Sequence, residues 1–312
     1  MSDTPAGTAP LVRGTAADLP PAVAAALAHP SDGLHRVVRA ADVSFALVEW
    51  GAAGDPPLLL VHGVTSSSRT WWRIGPALAA AGFRVVAIDL PGHGRTGAWA
   101  GRHRFADTAE DVAAFIREAG LDRRDLRVVG HSWGALVVAG LPAAGIRPAT
   151  LVLLDPPALP VAQMATMLDD PVERPYDDLG EAIAAIRAAY PAWTDGDILA
   201  KAEGLTQFDG PAVRAILLDN GDWDGGLAAL SAAPARDVET WIVRGEPAAG
   251  SLLPDAAVPG LAAVVGADHV LTIAGGAHSP QRLLPEATLV ALLRALGGQP
   301  RRTATARSNA SR

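Results

Sequence analysis

Ser132 lies in Gly130-His131-Ser132-Trp133-Gly134. Ahead of it the apolar run Leu126-Arg127-Val128-Val129 reads as a buried strand, and behind it Ala135-Leu136-Val137-Val138-Ala139 reads as a helix start. A strand that enters a helix through Gly-x-Ser-x-Gly must turn sharply. A side chain at 130 or 134 would crowd the neighbouring strand or helix, which is why glycine is required there. Such a turn lifts the Ser132 hydroxyl off the sheet and leaves the Trp133 amide unpaired at a helix N-terminus. An activated hydroxyl beside a free amide suits nucleophilic attack on a carbonyl, with the amide holding the developing oxyanion. The pentapeptide alone is weak evidence in a chain with 32 glycines; its weight comes from the strand and helix around it.

The elements that would position it follow in order. After a loose leader and a short helix from Pro20 to His29, Leu34–Arg39 and Val43–Trp50 alternate as an antiparallel hairpin at a sheet edge. Pro57–Val61 is a buried strand that runs into His62-Gly63-Val64, and the serines at 66–68 suit a helix start. Arg84–Ile88 is the next strand, closed by Asp89-Leu90-Pro91-Gly92-His93-Gly94. Asp107 and Glu110 have the spacing of a capping box for a helix over 108–119. Beyond the Ser132 turn come a strand at 151–154 with Asp155 at its carboxyl end, and strands at 240–243 and 269–273. Alternation of this kind predicts an α/β fold with a doubly wound, mostly parallel sheet flanked by helices. From 158 to 234 the strands stop and the spacing turns helical, which predicts an inserted helical cap. The expected layout is a leader over 1–33, a core over 34–157 and 235–297, the cap over 158–234, and a disordered tail over 298–312 whose arginines sit among Thr, Ala, Ser and Asn.

Composition narrows the functions. The net charge of −7 and the absence of a basic cluster before the tail argue against nucleic acid and anionic membranes as partners. No apolar run approaches a membrane span. The first twenty residues carry Asp3 and Asp18 and no apolar core, so no secretory signal is expected and a cytoplasmic location is the default. The chain has no cysteine, and no His-Glu-x-x-His spacing occurs, so neither a metal nor another cofactor is expected. Lys201, the single lysine, reads as a compositional bias toward arginine.

Four motifs in this order resemble the α/β-hydrolase fold superfamily over about residues 34–297. They are His62-Gly63, Asp89-x-Pro91-Gly92-x-Gly94, the serine turn at 130–134, and Gly276-Ala277-His278 after the last strand. The similarity is to the capped branch of esterases, lipases, lactonases and epoxide hydrolases. The resemblance implies Ser132 as nucleophile, His278 as its base, and the Val64 and Trp133 amides as oxyanion donors. Relatives commonly place an aspartate three residues after the glycine that ends the 240–243 strand. Here that slot, after Gly245, holds Ala248, so the neighbouring Glu246 is the expected acid and Asp155 the alternative. His131 is expected to point away from the pocket, and His62 and His93 to brace loops. The rings of Trp71 and Trp133 are candidates for the acyl pocket. Trp223, Met164 and Met167 are candidates for its mouth.

A serine at the nucleophile position favours acyl transfer, because the resembling epoxide hydrolases and haloalkane dehalogenases use a carboxylate there. The leading reading is hydrolysis of small to medium carboxylic esters, with lactones as a further class and a small-molecule ester as the partner. Other chemistry on the same residues (carbon–carbon bond hydrolysis, perhydrolysis, hydroxynitrile cleavage) is the alternative within catalysis. A non-catalytic small-molecule receptor is the alternative outside it, kept open by the altered acid slot.

Overall fold

The computed structural model describes residues 9–98 and 101–297, so the expected tail over 298–312 lies outside the described residues. Nine strands form one sheet: β1 (Leu11–Val12), β2 (Leu34–Ala40), β3 (Val43–Trp50), β4 (Pro57–Val61), β5 (Arg84–Ile88), β6 (Arg127–His131), β7 (Thr150–Leu154), β8 (Glu239–Arg244) and β9 (Val270–Ile273). Their spatial order is β1-β9-β8-β7-β6-β4-β5-β3-β2. All neighbours pair in parallel except β3, which runs antiparallel to both β2 and β5. The chain moves from β4 to β5 on one side and then to β6 on the other. That reversal opens a crevice at the carboxyl ends of β4 and β6, where ligands bind in open α/β sheets.

The central strands are apolar on both faces because helices cover both. Leu59, Val61, Val86, Ile88, Val128, Leu151 and Leu153 pack on one side, with Val112, Phe115 and Ile116 of α3 (Phe105–Glu118) and with α4 (Trp133–Ala139). The alternate residues Leu58, Leu60, Val85, Ala87, Val129, Val152 and Leu154 face the other side. They meet α1 (Pro21–Ala28), α2 (Ile74–Ala80) and, near the chain's end, Leu289 and Leu292.

Between β7 and β8 the described chain forms only helices: α5 (Val161–Ala165), α6 (Leu179–Ala189), α7 (Asp195–Leu205), α8 (Gly210–Leu218) and α9 (Asp224–Leu227), with short 3-10 turns. Tyr176, Ala182, Ile186, Ile198, Ala202 and Leu205 give this segment a small core of its own. Asp178 accepts from the Glu181 amide at the start of α6, and Thr194 from the Asp197 amide at the start of α7. After β8 come α10 (Val258–Val265) and, past β9, α11 (Pro280–Leu283) and α12 (Pro285–Ala295). Among the described residues no helix is long and apolar enough to cross a membrane.

Two local expectations are corrected. β1, inside the stretch expected to be loose, extends the sheet beyond β9, with Leu11 paired to Thr272 and Val12 to Ile273. α3 starts at Phe105 instead of 108, so Asp107 and Glu110 form no capping box. The Phe105 amide donates to Asn220 Oδ1 at 2.8 Å, and Asp107 pairs with Arg102 at 3.0 Å. A side chain from the helical segment thus supplies a cap that no local pattern could show.

Candidate active site

The turn after β6 is built as its glycines require. A Cβ on Gly130 would stand 2.4 Å from the Gly134 carbonyl oxygen, and one on Gly134 2.3 Å from that of His62. Ser132 takes φ 56° and ψ −126° and is anchored by its amide, which donates to the Leu154 carbonyl at 3.0 Å. Among the described residues four non-glycine residues have positive φ, and three of them (Thr65, Ser132 and Asp155) meet at the carboxyl ends of β4, β6 and β7. Positive φ costs a non-glycine residue about 1–2 kcal/mol, and such strain gathers where geometry is held for a purpose.

Ser132 Oγ lies 2.9 Å from His278 Nε2, and His278 Nδ1 lies 2.7 Å from Asp155 Oδ2. A carboxylate only accepts, so Nδ1 carries the hydrogen and Nε2 presents its lone pair to the serine hydroxyl. Asp155 is fully buried and also accepts from the Gly245 amide (2.9 Å), Ser251 Oγ (2.5 Å) and the Leu252 amide (3.0 Å). Burial alone would raise its pKa. The hydrogen bonds from His278, Ser251 and Leu252 outweigh that and hold it below the usual carboxylate range.

Above Ser132, the Val64 and Trp133 amides donate to no acceptor among the described residues. Val64 belongs to the loop after β4, and Trp133 opens α4. Val61 pairs with Gly130, which brings the two strand ends side by side. The arrangement can abstract a proton from a hydroxyl and stabilise the negative oxygen its attack creates.

Comparison with known proteins bears on the fold. A family model described as "alpha/beta hydrolase fold" matches residues 56–206. The solved structure of E-2-(acetamidomethylene)succinate hydrolase superposes with a TM-score of 0.72 at 22% identity, over 85% of this chain and 99% of that one. The chain has the α/β-hydrolase fold. It is similar to the lipase LipV of Mycobacterium tuberculosis, 36% identical over 152 residues, 47% of this chain and 55% of LipV. It is also similar to epoxide hydrolase A of the same organism, 36% identical over 133 residues, 41% of this chain and 40% of that protein. The match thus spans about half the length of these relatives or less.

Within this α/β-hydrolase framework Glu246 does not reach the histidine. Its amide donates to the Gly276 carbonyl at 2.8 Å, while its carboxylate accepts from the Gly275 amide at 3.1 Å on the exposed side of the turn. The expectation of Glu246 as the histidine's partner is therefore corrected. The Gly245 amide turns inward to Asp155, so β7 supplies the carboxylate and the chain after β8 closes over it. Asp155, the sequence alternative, holds that place.

His131 is corrected as well. Its Nε2 lies 2.8 Å from the His278 carbonyl and its ring packs on the His278 ring, with centroids 5.0 Å apart. Burial first, and then the nearby His278, pushes its pKa down to about 3, so at neutral pH its Nε2–H donates to that carbonyl and fixes the His278 loop. His62 and His93 brace loops as expected. His62 Nδ1 meets the Gly63 carbonyl and its Nε2 accepts from the Leu90 amide, while His93 Nδ1 meets the Pro91 carbonyl.

These buried histidines predict acid lability. Burial lowers His62 to about 4 and His93 to about 3, alongside His131. Each folded-state value lies below the unfolded value near 6.5. The stability they contribute is therefore complete above that pH and is lost as pH falls toward the folded values. In that window unfolding takes up as many as three protons, a slope of about 4 kcal/mol per pH unit at the limit. Urea midpoints measured from pH 7 to 4.5 are expected to fall steeply once below 6.5. A midpoint that stays flat over that range would show the histidines to be charged in the native state.

A cavity of about 550 Å³ opens from Ser132 and His278 between the sheet and the helical segment. Trp223, Met164 and Met167 line it, whereas the fully buried Trp71 and Trp133 belong to the core and do not. It is also lined by residues that sequence reasoning missed: Lys201, Glu173, Tyr190, Trp193 and Arg282. Lys201 is a structural residue and no mere compositional bias. Its Nζ donates to the Thr65 carbonyl (2.9 Å), Thr65 Oγ1 (3.0 Å) and Glu173 (2.5 Å), tying α7 to the loop that carries Val64. Burial pushes its pKa down, and Glu173 opposes that. These contacts join positions far apart in the chain, so no local signal could reveal them.

Proposed function

We propose that the protein is a serine hydrolase that cleaves carboxylic esters through an acyl-enzyme, with Ser132 as nucleophile, His278 as base and Asp155 as acid. The observation that carries this reading is the unbroken chain of hydrogen bonds from Asp155 through His278 to Ser132. His278 Nε2 takes the hydroxyl proton as Ser132 Oγ bonds to the ester carbon. The oxyanion rests on the Val64 and Trp133 amides, then collapses and expels the alcohol, which receives the proton from His278. Water, deprotonated by the same nitrogen, cleaves the acyl-enzyme and returns the serine and the free acid. Residues 158–234 act as the cap that encloses the substrate over the core at 34–157 and 235–297.

A serine at 132 supports acyl transfer over epoxide opening, even though an epoxide hydrolase is among the relatives. The name lipase, borne by LipV, agrees with ester chemistry. The receptor reading depended on the empty slot after Gly245; with Asp155 on His278, no observation favours it. Turnover of p-nitrophenyl esters from acetate to octanoate, lost in Ser132→Ala, tests the proposal. A folded wild-type protein that hydrolyses none of them, and no lactone, would contradict it.

A further inference from the structure

Arg282 lines the same cavity as Ser132 and is 4% exposed. It lies on α11, one helical turn after His278. Its Nη1 donates to the Asp197 carbonyl at 2.8 Å, and its guanidinium packs on the Trp193 ring at 5.0 Å, a ring stacked in turn on Tyr190 at 4.2 Å. Among the described residues it pairs with no carboxylate, and its Nε and Nη2 donate to no protein acceptor.

The neighbouring acids are already engaged. Asp197 accepts from Arg73 (2.5 Å), Trp72 Nε1 (3.0 Å) and Thr194 Oγ1 (2.6 Å). Glu173 accepts from Lys201 and from Thr65 Oγ1, each at 2.5 Å. Asp170, half-buried at the rim, takes the Val172 and Glu173 amides. Arg73 also holds the Arg282 backbone carbonyl at 2.9 Å, so the guanidinium sits on a fixed support. Asp197 and Glu173 act on the guanidinium only through space, so this buried fork keeps free donors that an anionic group would complete. The planar fork of arginine suits a carboxylate, which it can bind through two parallel hydrogen bonds.

We propose that Arg282 forms the subsite for a carboxylate carried by the substrate, so that the esters taken at Ser132 are carboxylate-bearing ones, such as half-esters of dicarboxylic acids. This rests on the serine-hydrolase reading for the reaction, but not for the binding. Ethyl pentanoate and monoethyl glutarate differ only in a terminal methyl against a carboxylate. The wild type is expected to favour the half-ester at least tenfold in kcat/KM, the worth of one charge-assisted pair. In Arg282→Met that ratio is expected to fall at least tenfold, and Arg282→Lys is expected to keep part of it. Glutarate, which cannot be hydrolysed, is expected to bind the wild type in calorimetry and to bind Arg282→Met at least tenfold more weakly.

Turnover of both esters with no preference would overturn the subsite and leave the hydrolase standing. A preference undiminished in folded Arg282→Met would also overturn it. Glutarate binding that depends on Arg282, with neither ester hydrolysed, would support the subsite and sink the hydrolase reading. If Arg282→Met fails to fold, a wild type without the preference still overturns the subsite, and Arg282→Lys then carries the assignment.

Discussion

Asp155→Asn is expected to lower kcat about 10⁴-fold with little change in KM, while Glu246→Gln leaves kcat within about twofold. The asparagine is nearly the same size, and its side-chain oxygen can still accept from the Gly245 amide and from Ser251 Oγ. It can, however, present its NH₂ to His278 Nδ1. That stabilises the tautomer with hydrogen on Nε2, which then has no lone pair for the Ser132 proton, and it removes the charge that supports the imidazolium. Glu246 faces the exposed side of its turn and holds only the Gly275 amide. Steady-state kinetics on one ester, with circular dichroism to show folding, separates the two. A large loss in Glu246→Gln with near-normal Asp155→Asn would show that the β8 turn rearranges to bring its carboxylate to the histidine.

Ser132→Ala is expected to lower kcat about 10⁶-fold, the scale seen when a nucleophile is removed from a triad. The backbone at 132 stays tied through its amide to Leu154, and the alanine inherits the strained φ, so the unfolding transition is expected to stay in place. The loss is then chemical. Measurable hydrolysis above that level, insensitive to the oxygen's removal, would mean that water is activated directly by His278 and that no acyl-enzyme forms.

The sheet could be read from the sequence because its inner strands are short apolar runs ended by glycine, proline or a polar turn, and a parallel sheet covered on both faces demands such runs. β1 escaped because two residues carry no period; only the edge of β9 makes Leu11–Val12 a strand. Ser132 and His278 could be read because each follows a strand in a glycine-containing motif, and at Gly130 and Gly134 the glycine is sterically required. The acid could not be settled, because Glu246 and Asp155 both sit at strand ends. What separates them is the direction of the Gly245 amide and the closure of Ser251 and Leu252 over Asp155, which is tertiary. Lys201 and Arg282 were unreadable for a related reason. A lone cation in a helical stretch looks like a solvated face, and only the packing of α7 and α11 against the loop after β4 and against each other buries it.

The most direct test of the central claim is intact-mass analysis after treatment with a fluorophosphonate, on the wild type and on Ser132→Ala. This reagent reacts with a serine only where a base has activated it and an oxyanion site receives the phosphoryl oxygen. A single adduct on the wild type, absent from Ser132→Ala, is the predicted result. A folded wild type that takes up no adduct, or a Ser132→Ala protein that takes up the same one, would contradict the account.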